Sequence, residues 1–295
     1  MRPRHVALLV LGVVAVSTSA PLIRLADAPP LAVAFYRNAF AALALLPVAV
    51  IGRRREFGNL GPMDRWALIL AGSLLAVHFA AWIPSVELTT VAASTVLVTS
   101  QPVWAAVGGR LLFGERIAGA AMAGIALALT GAVLISGFDI AVSAEAFAGD
   151  LLALVGAVTA AGYLLTGRRL RQRLSLPTYA ASVYGVCAAL LLVAMVVTGT
   201  PFFDYEPRVW LLFALMAAGP QILGHTVFNY LLREVDATVV AVAIMGEPIG
   251  ASVLALVMFG EIPPVSAVVG GVVILAGIYV AVVAQSRGQQ VAPVE

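Results

Sequence analysis

The sequence predicts an all-α integral membrane protein of ten transmembrane helices, arranged as two inverted repeats of five. Three observations carry this. First, of 295 residues 62% are hydrophobic and 11% charged, and the mean hydropathy is +1.03. A soluble domain wets its surface with about 25% charged residues, so this chain needs lipid as its solvent. Second, the apolar residues run continuously in stretches of about twenty, the length of helix that crosses a bilayer. A membrane β-barrel would instead alternate apolar and polar residues in segments of about ten. Third, the second half of the chain repeats the first. A shift of 146 residues lays Gln101-Pro102 on Glu247-Pro248, Phe113-Gly114-Glu115 on Phe259-Gly260-Glu261, Gly124 on Gly270 and Gly131 on Gly277, without a gap.

The apolar runs place helices over residues 6–23, 32–51, 66–86, 90–113, 117–137, 149–166, 178–198, 209–232, 237–259 and 264–284. Residues 1–147 form the first five-helix unit and 148–285 the second, with a polar cytoplasmic tail over 286–295. Arg2 and Arg4 before the first apolar run, with Ser17-Thr18-Ser19-Ala20 after it, imitate a cleaved signal peptide. Pro21 disfavours cleavage there, and the segment supplies the first helix of the repeat, so it is expected to remain as a span.

All 17 basic residues are Arg. With the N-terminus in the cytoplasm, 14 of them fall on the cytoplasmic side, including Arg53-Arg54-Arg55 with Arg65, Arg110 and Arg116, the Arg168, Arg169, Arg171 and Arg173 cluster, Arg233 and Arg287. Arg24 and Arg208 fall outside, and Arg37 lies within the second helix. The outer loops carry Asp27, Glu87, Asp139, Glu145, Asp150, Asp204, Glu206 and Glu261. The positive-inside rule therefore places both termini in the cytoplasm of a plasma (inner) membrane protein. The Arg clusters lie between apolar runs and are no nucleic-acid signature; the partners expected are the lipid bilayer and a small-molecule substrate, for a monomer or homodimer. The lone Cys187 lies in an apolar run and points to neither a disulfide nor a metal.

Five helices per half is an odd number, so the second half enters the membrane from the opposite side. Inverted repeats are characteristic of secondary transporters, because two similar halves of opposite orientation can exchange inward- and outward-open states. No Gly-Lys-Ser/Thr phosphate loop is present to drive transport with ATP. An integral-membrane enzyme would need a cluster of nucleophile, base or metal ligands; His5, His78 and His225 are scattered. A non-transporting scaffold or sensor would need neither a polar stripe nor a central cavity.

Phe35-Tyr36-Arg37 entering the second helix, a Pro in the fourth, Glu247-Pro248 in the ninth, and Gly-Glu at the ends of the fourth and ninth helices resemble the EamA-type members of the drug/metabolite transporter superfamily. The resemblance covers nearly the whole chain. It implies a ten-helix carrier without a cofactor, with a substrate cavity between its halves, that exports amino acids, other metabolites or toxic compounds.

Glu247 is the sharpest site residue: the only carboxylate placed deep in a predicted span, where a charge must be neutralised, paired or faced by water. It is the candidate for proton coupling; the structural alternative is that it satisfies a carbonyl freed by Pro248. Gln221, His225 and Asn229 recur at i, i+4 and i+8, one polar stripe on an apolar helix that should face a cavity or bond neighbouring helices. His78 and Trp82 share a face of the third helix, and the 146-residue shift brings His78 beside His225. Trp82 either stacks on a ligand or belongs to the interfacial belt. Gln101, Trp104 and Tyr163 are further cavity candidates. Arg37 either binds an anionic group or snorkels to the interface. Pro102 and Pro248 are expected to kink their helices, and the Gly-rich fifth and tenth helices to pack closely within the monomer or across a dimer. The orientation has a direct check: reporter fusions in the second and third loops should show the Arg53 cluster on the cytoplasmic side and Glu87 outside, and a periplasmic Arg53 cluster would refute it.

Overall fold

The computed structural model describes residues 2–115, 117–231, 240 and 243–291, the side chains of 140, 142, 169 and 286–291 excepted. The loop positions assigned to Arg116 and Arg233, the end of the eighth helix at 232 and the start of the ninth at 237 lie outside these residues. So do the side chains of Arg169 and Arg287 and tail residues 292–295.

Among the described residues nine helical spans are long and apolar enough to cross a bilayer, and a shorter apolar helix accounts for the tenth. They are α1 (Pro3–Ala26), α2 (Pro30–Gly58), α3 (Pro62–Leu88), α4 (Val91–Phe113), α5 (Gly119–Val142), α6 (Ala144–Arg173), α7 (Leu176–Thr198), α8 (Pro207–Leu231), α9 (Glu247–Phe259) and α10 (Val265–Val291). Several helices run past the sequence limits. α2 carries the Arg53 cluster, with non-helical dihedrals at Arg53, and α6 runs to Arg173. The residues taken for a polar tail continue α10 as helix to Val291. Arg and Glu are good helix formers, so the charges at these ends need not stop the helix. Between α5 and α6 only Ser143 is non-helical; its Oγ accepts from the Ala146 N–H and caps α6. Asp150, counted by sequence with the outer-loop acids at the very start of the helix over 149–166, therefore lies well inside α6, and it is fully buried.

The two halves pack as inverted repeats. α5 lies along α10 and α2 along α7, so equivalent helices meet across a pseudo-two-fold axis. α3 packs on α6 as α8 packs on α1, so each half's third helix holds the other half's first. The glycines show the same symmetry at atomic scale. A Cβ on Gly124 would lie 2.6 Å from the Gly277 carbonyl oxygen, and one on Gly277 would lie 2.6 Å from that of Gly124; Gly131 and Gly270 stand likewise at 2.7 and 2.8 Å. Lipid gives helices no hydrophobic reason to associate, and small residues allow the close backbone approach that replaces it. The Gly-rich faces of α5 and α10 thus meet within the monomer.

The repeated Phe-Gly-Glu is a helix stop. Gly114 and Gly260 both adopt φ of +67°, and the following N–H groups of Glu115 and Glu261 bond back to the Gly109 and Ala255 carbonyls at 3.3 and 3.4 Å. This is the left-handed glycine cap that satisfies carbonyls at a helix end.

Overpacking the glycine crossing should be costly. Gly277→Ala is expected to destabilise the protein by about 1–3 kcal/mol in thermal unfolding from detergent. Gly137→Ala on α5, whose Cβ would meet nothing within 4 Å, should be close to neutral. Equal effects of the two would refute the crossing.

Candidate functional site

The middle of the bundle is where regular helix fails. α1 breaks at Thr18, α4 at Thr99–Ser100, and α9 follows a turn at Met245–Gly246. The last two breaks are related by the same 146-residue shift. Pro102 and Pro248 do not kink continuous helices; each is the second residue of a new helical segment, where its missing N–H leaves no helical bond unmade. Glu247 is accordingly the first residue of the described helix rather than a mid-helix residue, and the positive end of the helix dipole favours its charge. Its pseudo-equivalent, Gln101, is neutral.

α8 departs differently. Ala217–Thr226 is π-helical around Pro220, which cannot bond the preceding turn. Thr226 Oγ1 bonds the Gln221 carbonyl at 3.0 Å, five residues back. Such widened turns occur mostly at functional sites.

These irregular segments border a central cavity of about 290 Å³. Of the residues singled out by sequence, Glu247, His225, Gln221, Asn229, His78, Trp82, Gln101 and Tyr163 line it. His78 and His225, one from each half, share this one cavity. Trp104 does not line it; its indole N–H bonds Ser100 Oγ at 3.2 Å, one turn along α4. Arg37 stands one layer behind. Sequence reasoning missed Tyr184, Phe79, Phe228 and Thr99 among the lining residues. Thr99 stands three residues before Pro102, whose effect on the preceding turn could have marked it; nothing in the apolar runs marks which face of α7 carries Tyr184 inward.

The polar groups are set in defined states. The His78 ring Nδ1 lies 2.8 Å from the Gly156 carbonyl oxygen. A carbonyl only accepts, so Nδ1 carries the proton and the neutral ring keeps Nε2 as an acceptor. Trp82, stacked on His78 at 5.8 Å, is buried, which excludes an interfacial-belt role, and its indole N–H has no hydrogen-bond partner. Glu247 is 7% exposed, and its carboxylate makes no hydrogen bond or ion pair among the described residues. The cavity wall thus carries an acceptor and a carboxyl group without a partner among the described residues, set among aromatic side chains, with the Trp82 N–H buried behind its surface.

Arg37 does not snorkel; it is completely buried. Its Nε and Nη2 donate to Gln221 Oε1 at 3.1 and 2.8 Å, and Nη1 donates to Ser19 Oγ at 3.1 Å. The guanidinium also covers the Phe79 ring at 4.4 Å, a cation–π contact. Gln221 passes the network on, donating to Asn38 Oδ1 at 3.3 Å. Arg37 therefore fixes the orientation of a cavity amide and puts a positive charge behind the wall, within electrostatic reach of Glu247.

Two ion pairs stand at opposite ends of the bundle. Arg24 at the end of α1 pairs with Glu261 after α9 and donates to the Val86 and Thr89 carbonyls at 2.5 and 2.8 Å. The other Glu261 oxygen accepts from the Val91 N–H at 2.7 Å. At the far end Arg168 on α6 pairs with Glu115 after α4 at 2.6 Å. α6 is the repeat equivalent of α1, so the two ion pairs are pseudo-symmetric.

The model of the EamA-like transporter family matches residues 4–137 and again 147–283. The chain belongs to the EamA-like transporter family. The two matches coincide with the two packed halves. Among curated relatives this EamA-like transporter is 26% identical over 278 residues to an uncharacterized transporter of Archaeoglobus fulgidus, covering 93% of this chain and 95% of that one. A solved crystal structure, titled only as that of a protein, superposes with a TM-score of 0.68 at 19% identity over 98% of this chain and 100% of its own, a likeness of fold.

Removing Arg37 should strand Gln221 as an unsatisfied buried amide, at about 1–3 kcal/mol. In a cycle of Arg37→Met, Gln221→Leu and the double variant, thermal unfolding should give a coupling energy of at least about 1 kcal/mol. Additive effects would remove the link.

Proposed function

We propose that this protein is a secondary transporter of the inner membrane that exports a small amino-acid-like, or otherwise polar or amphipathic, metabolite by alternating access, with Glu247 as the proton-carrying group. The observation that carries this reading is the Glu247 carboxyl, which lines a cavity formed between the two halves and has no partner among the described residues. A carboxyl in a membrane interior is costly as an anion and without partners. Bound substrate or a bound proton each relieves that cost, so the two can be exchanged at one group.

The dimensions fit a small metabolite: about 290 Å³ is near the lower end of pockets that enclose small ligands. The aromatic walls, Trp82 among them, suit an apolar portion, and His78, Gln221 and Asn229 suit polar groups. Arg37 behind the wall and Glu247 on it offer opposite charges, as a molecule bearing both an amine and a carboxylate requires. A cavity bordered by Glu247 and His225 weighs against a scaffold without transport.

With both termini in the cytoplasm, the Arg24–Glu261 ion pair lies at the outer end and Arg168–Glu115 at the inner end. Equivalent pairs at opposite ends are what alternating access needs, since each can tie the two halves while the other parts. The outer pair is the more enclosed, with side chains 26% and 16% exposed against 53% and 35%, and it recruits three backbone groups. Its closure is therefore the stronger of the two in this conformation.

Untargeted metabolite profiling of medium around cells expressing the wild type, Glu247→Gln or an empty vector tests the reading. A compound should be enriched outside with the wild type alone, and a protonophore should abolish its accumulation against a gradient. Export by Glu247→Gln at the wild-type rate would make Glu247 structural. Accumulation that survives collapse of the proton gradient would remove proton coupling, and no enrichment from verified membrane protein would remove export.

A further inference from the structure

Four oxygen-bearing side chains meet away from the cavity, where the α5–α6 hairpin packs on the end of α3. Asp150, early in α6, is 0% exposed, and neither carboxylate oxygen has a hydrogen-bond partner. Ser136 on α5 is 9% exposed, and its Oγ is equally without a partner. Asp139, one helical turn further along α5, adjoins Asp150 and is partly open to the surface. Thr89, the C-cap of α3, donates its hydroxyl to Asp139 Oδ2 at 3.1 Å and also adjoins Asp150. The approach is close because residue 149 is Gly: a Cβ there would lie 3.0 Å from both Leu88 Cβ and the Thr89 nitrogen.

The charge does not balance. Two carboxylates face each other, and among the described residues no cationic side chain acts on Asp150. Arg24 reaches the Thr89 carbonyl, but its charge is engaged by Glu261. An uncompensated charge is costly to bury, because nothing replaces the water it loses. The repeat does not account for the cluster either. The 146-residue shift lays Val282 on Ser136 and Gln285 on Asp139, and the Gln285 amide oxygen is taken by the Ala118 N–H at 3.1 Å, so the equivalent place has neither the hydroxyl nor the carboxylate.

We propose that Asp150, Asp139, Ser136 and Thr89 bind a hard cation, sodium or calcium. The donors are all oxygen, two are charged, and none is a nitrogen or sulfur that would favour a transition metal. Both Asp150 oxygens and Ser136 Oγ lack a partner at full hydrogen-bond geometry, the Ser136 and Thr89 hydroxyls acting on Asp150 only as weak neighbours; these are the oxygens a cation would take, and Asp139 gives it a way in from water. Thr89 belongs to two structures at once, offering its hydroxyl to the cluster and its carbonyl to Arg24. A cation here steadies the end of α3 on which the Arg24–Glu261 closure rests. At an outer rim, that couples the extracellular ion to the closed state of that face.

The test needs no substrate and so stands or falls separately from the transport reading. Purified full-length protein in lipid nanodiscs is titrated at constant ionic strength with sodium against potassium and choline, and with calcium against magnesium. Thermal unfolding is the readout. A saturable upward shift of the midpoint is expected with sodium or with calcium and not with its control ion, and the arm that responds identifies the cation. Asp150→Asn and Asp139→Asn should each abolish the shift. Ser136→Ala should raise the half-saturating concentration about tenfold, which keeps the test available if an Asp variant does not fold. No ion-specific shift in the wild type overturns the proposal, as does an undiminished shift in the folded variants. Stabilisation by acid alone, with no ion effect, would mean that a proton occupies the cluster and would overturn it too.

Discussion

Every polar backbone group in a bilayer must find a partner inside the protein, and the layout of this molecule follows from that one requirement. A span can stop being a helix only where the interior supplies replacement bonds. The breaks accordingly coincide with short hydroxyl side chains. Ser17 Oγ donates to the Val13 carbonyl at 2.8 Å, Thr18 to that of Ala15 at 2.7 Å, Thr99 to that of Thr95 at 2.6 Å and Ser100 to that of Leu97 at 2.6 Å. Ser17 also approaches the carbonyl of Glu247, at 3.4 Å, so the interruption in α1 is braced against the start of α9. Of these hydroxyl residues Thr99 also lines the cavity, so repair of a broken helix and the polar wall meet there.

The buried charges follow a related logic. Arg37 survives complete burial without a carboxylate at ion-pair distance among the described residues, because its fork is occupied by two neutral oxygens and its face by an aromatic ring. A Lys ammonium could not be shared in that way, being a compact, strongly hydrated charge without a planar face. The chain's exclusive use of Arg suits a protein whose cations are divided among carbonyls, amides and rings. Arg24 is another instance, with one guanidinium bridging a carboxylate and two main-chain oxygens.

Much of the architecture could be read from the residues. Runs of about twenty apolar side chains have one explanation in physics, and the glycines of α5 and α10 sit at a fixed offset that chance does not produce. Gln221, His225 and Asn229 declared a polar stripe, and the stripe lines the cavity even though the helix beneath it is π rather than α. What stayed hidden depends on tertiary arrangement. Arg37 looked like a residue able to reach the interface; only the packing of α2 against α3, α7 and α8 closes that route. Asp150 stood at the very start of the sixth expected span and was counted with the outer-loop acids, and Glu247 therefore looked like the only deep carboxylate. A single capped residue makes the turn instead, and it draws Asp150 inside. Tyr184 and Phe79 occur in runs apolar on every side, where periodicity marks no inward face.

The contact between α5 and α10 has a consequence of a different kind. Gly124, Gly131, Gly270 and Gly277 bring main chain against main chain, with Ala128, Ile135, Ile274 and Ala281 placed symmetrically beside them. Interdigitated side chains behave like gear teeth: sliding past one another means resetting rotamers together, which makes such interfaces step between discrete positions. Two bare backbones have few teeth to disengage. The seam therefore has the character of a plain bearing, holding the halves at a fixed separation while resisting a small change of tilt only weakly. Wear in such a joint comes from bulk, so a methyl group added on this line hinders the turning of the joint as well as its assembly.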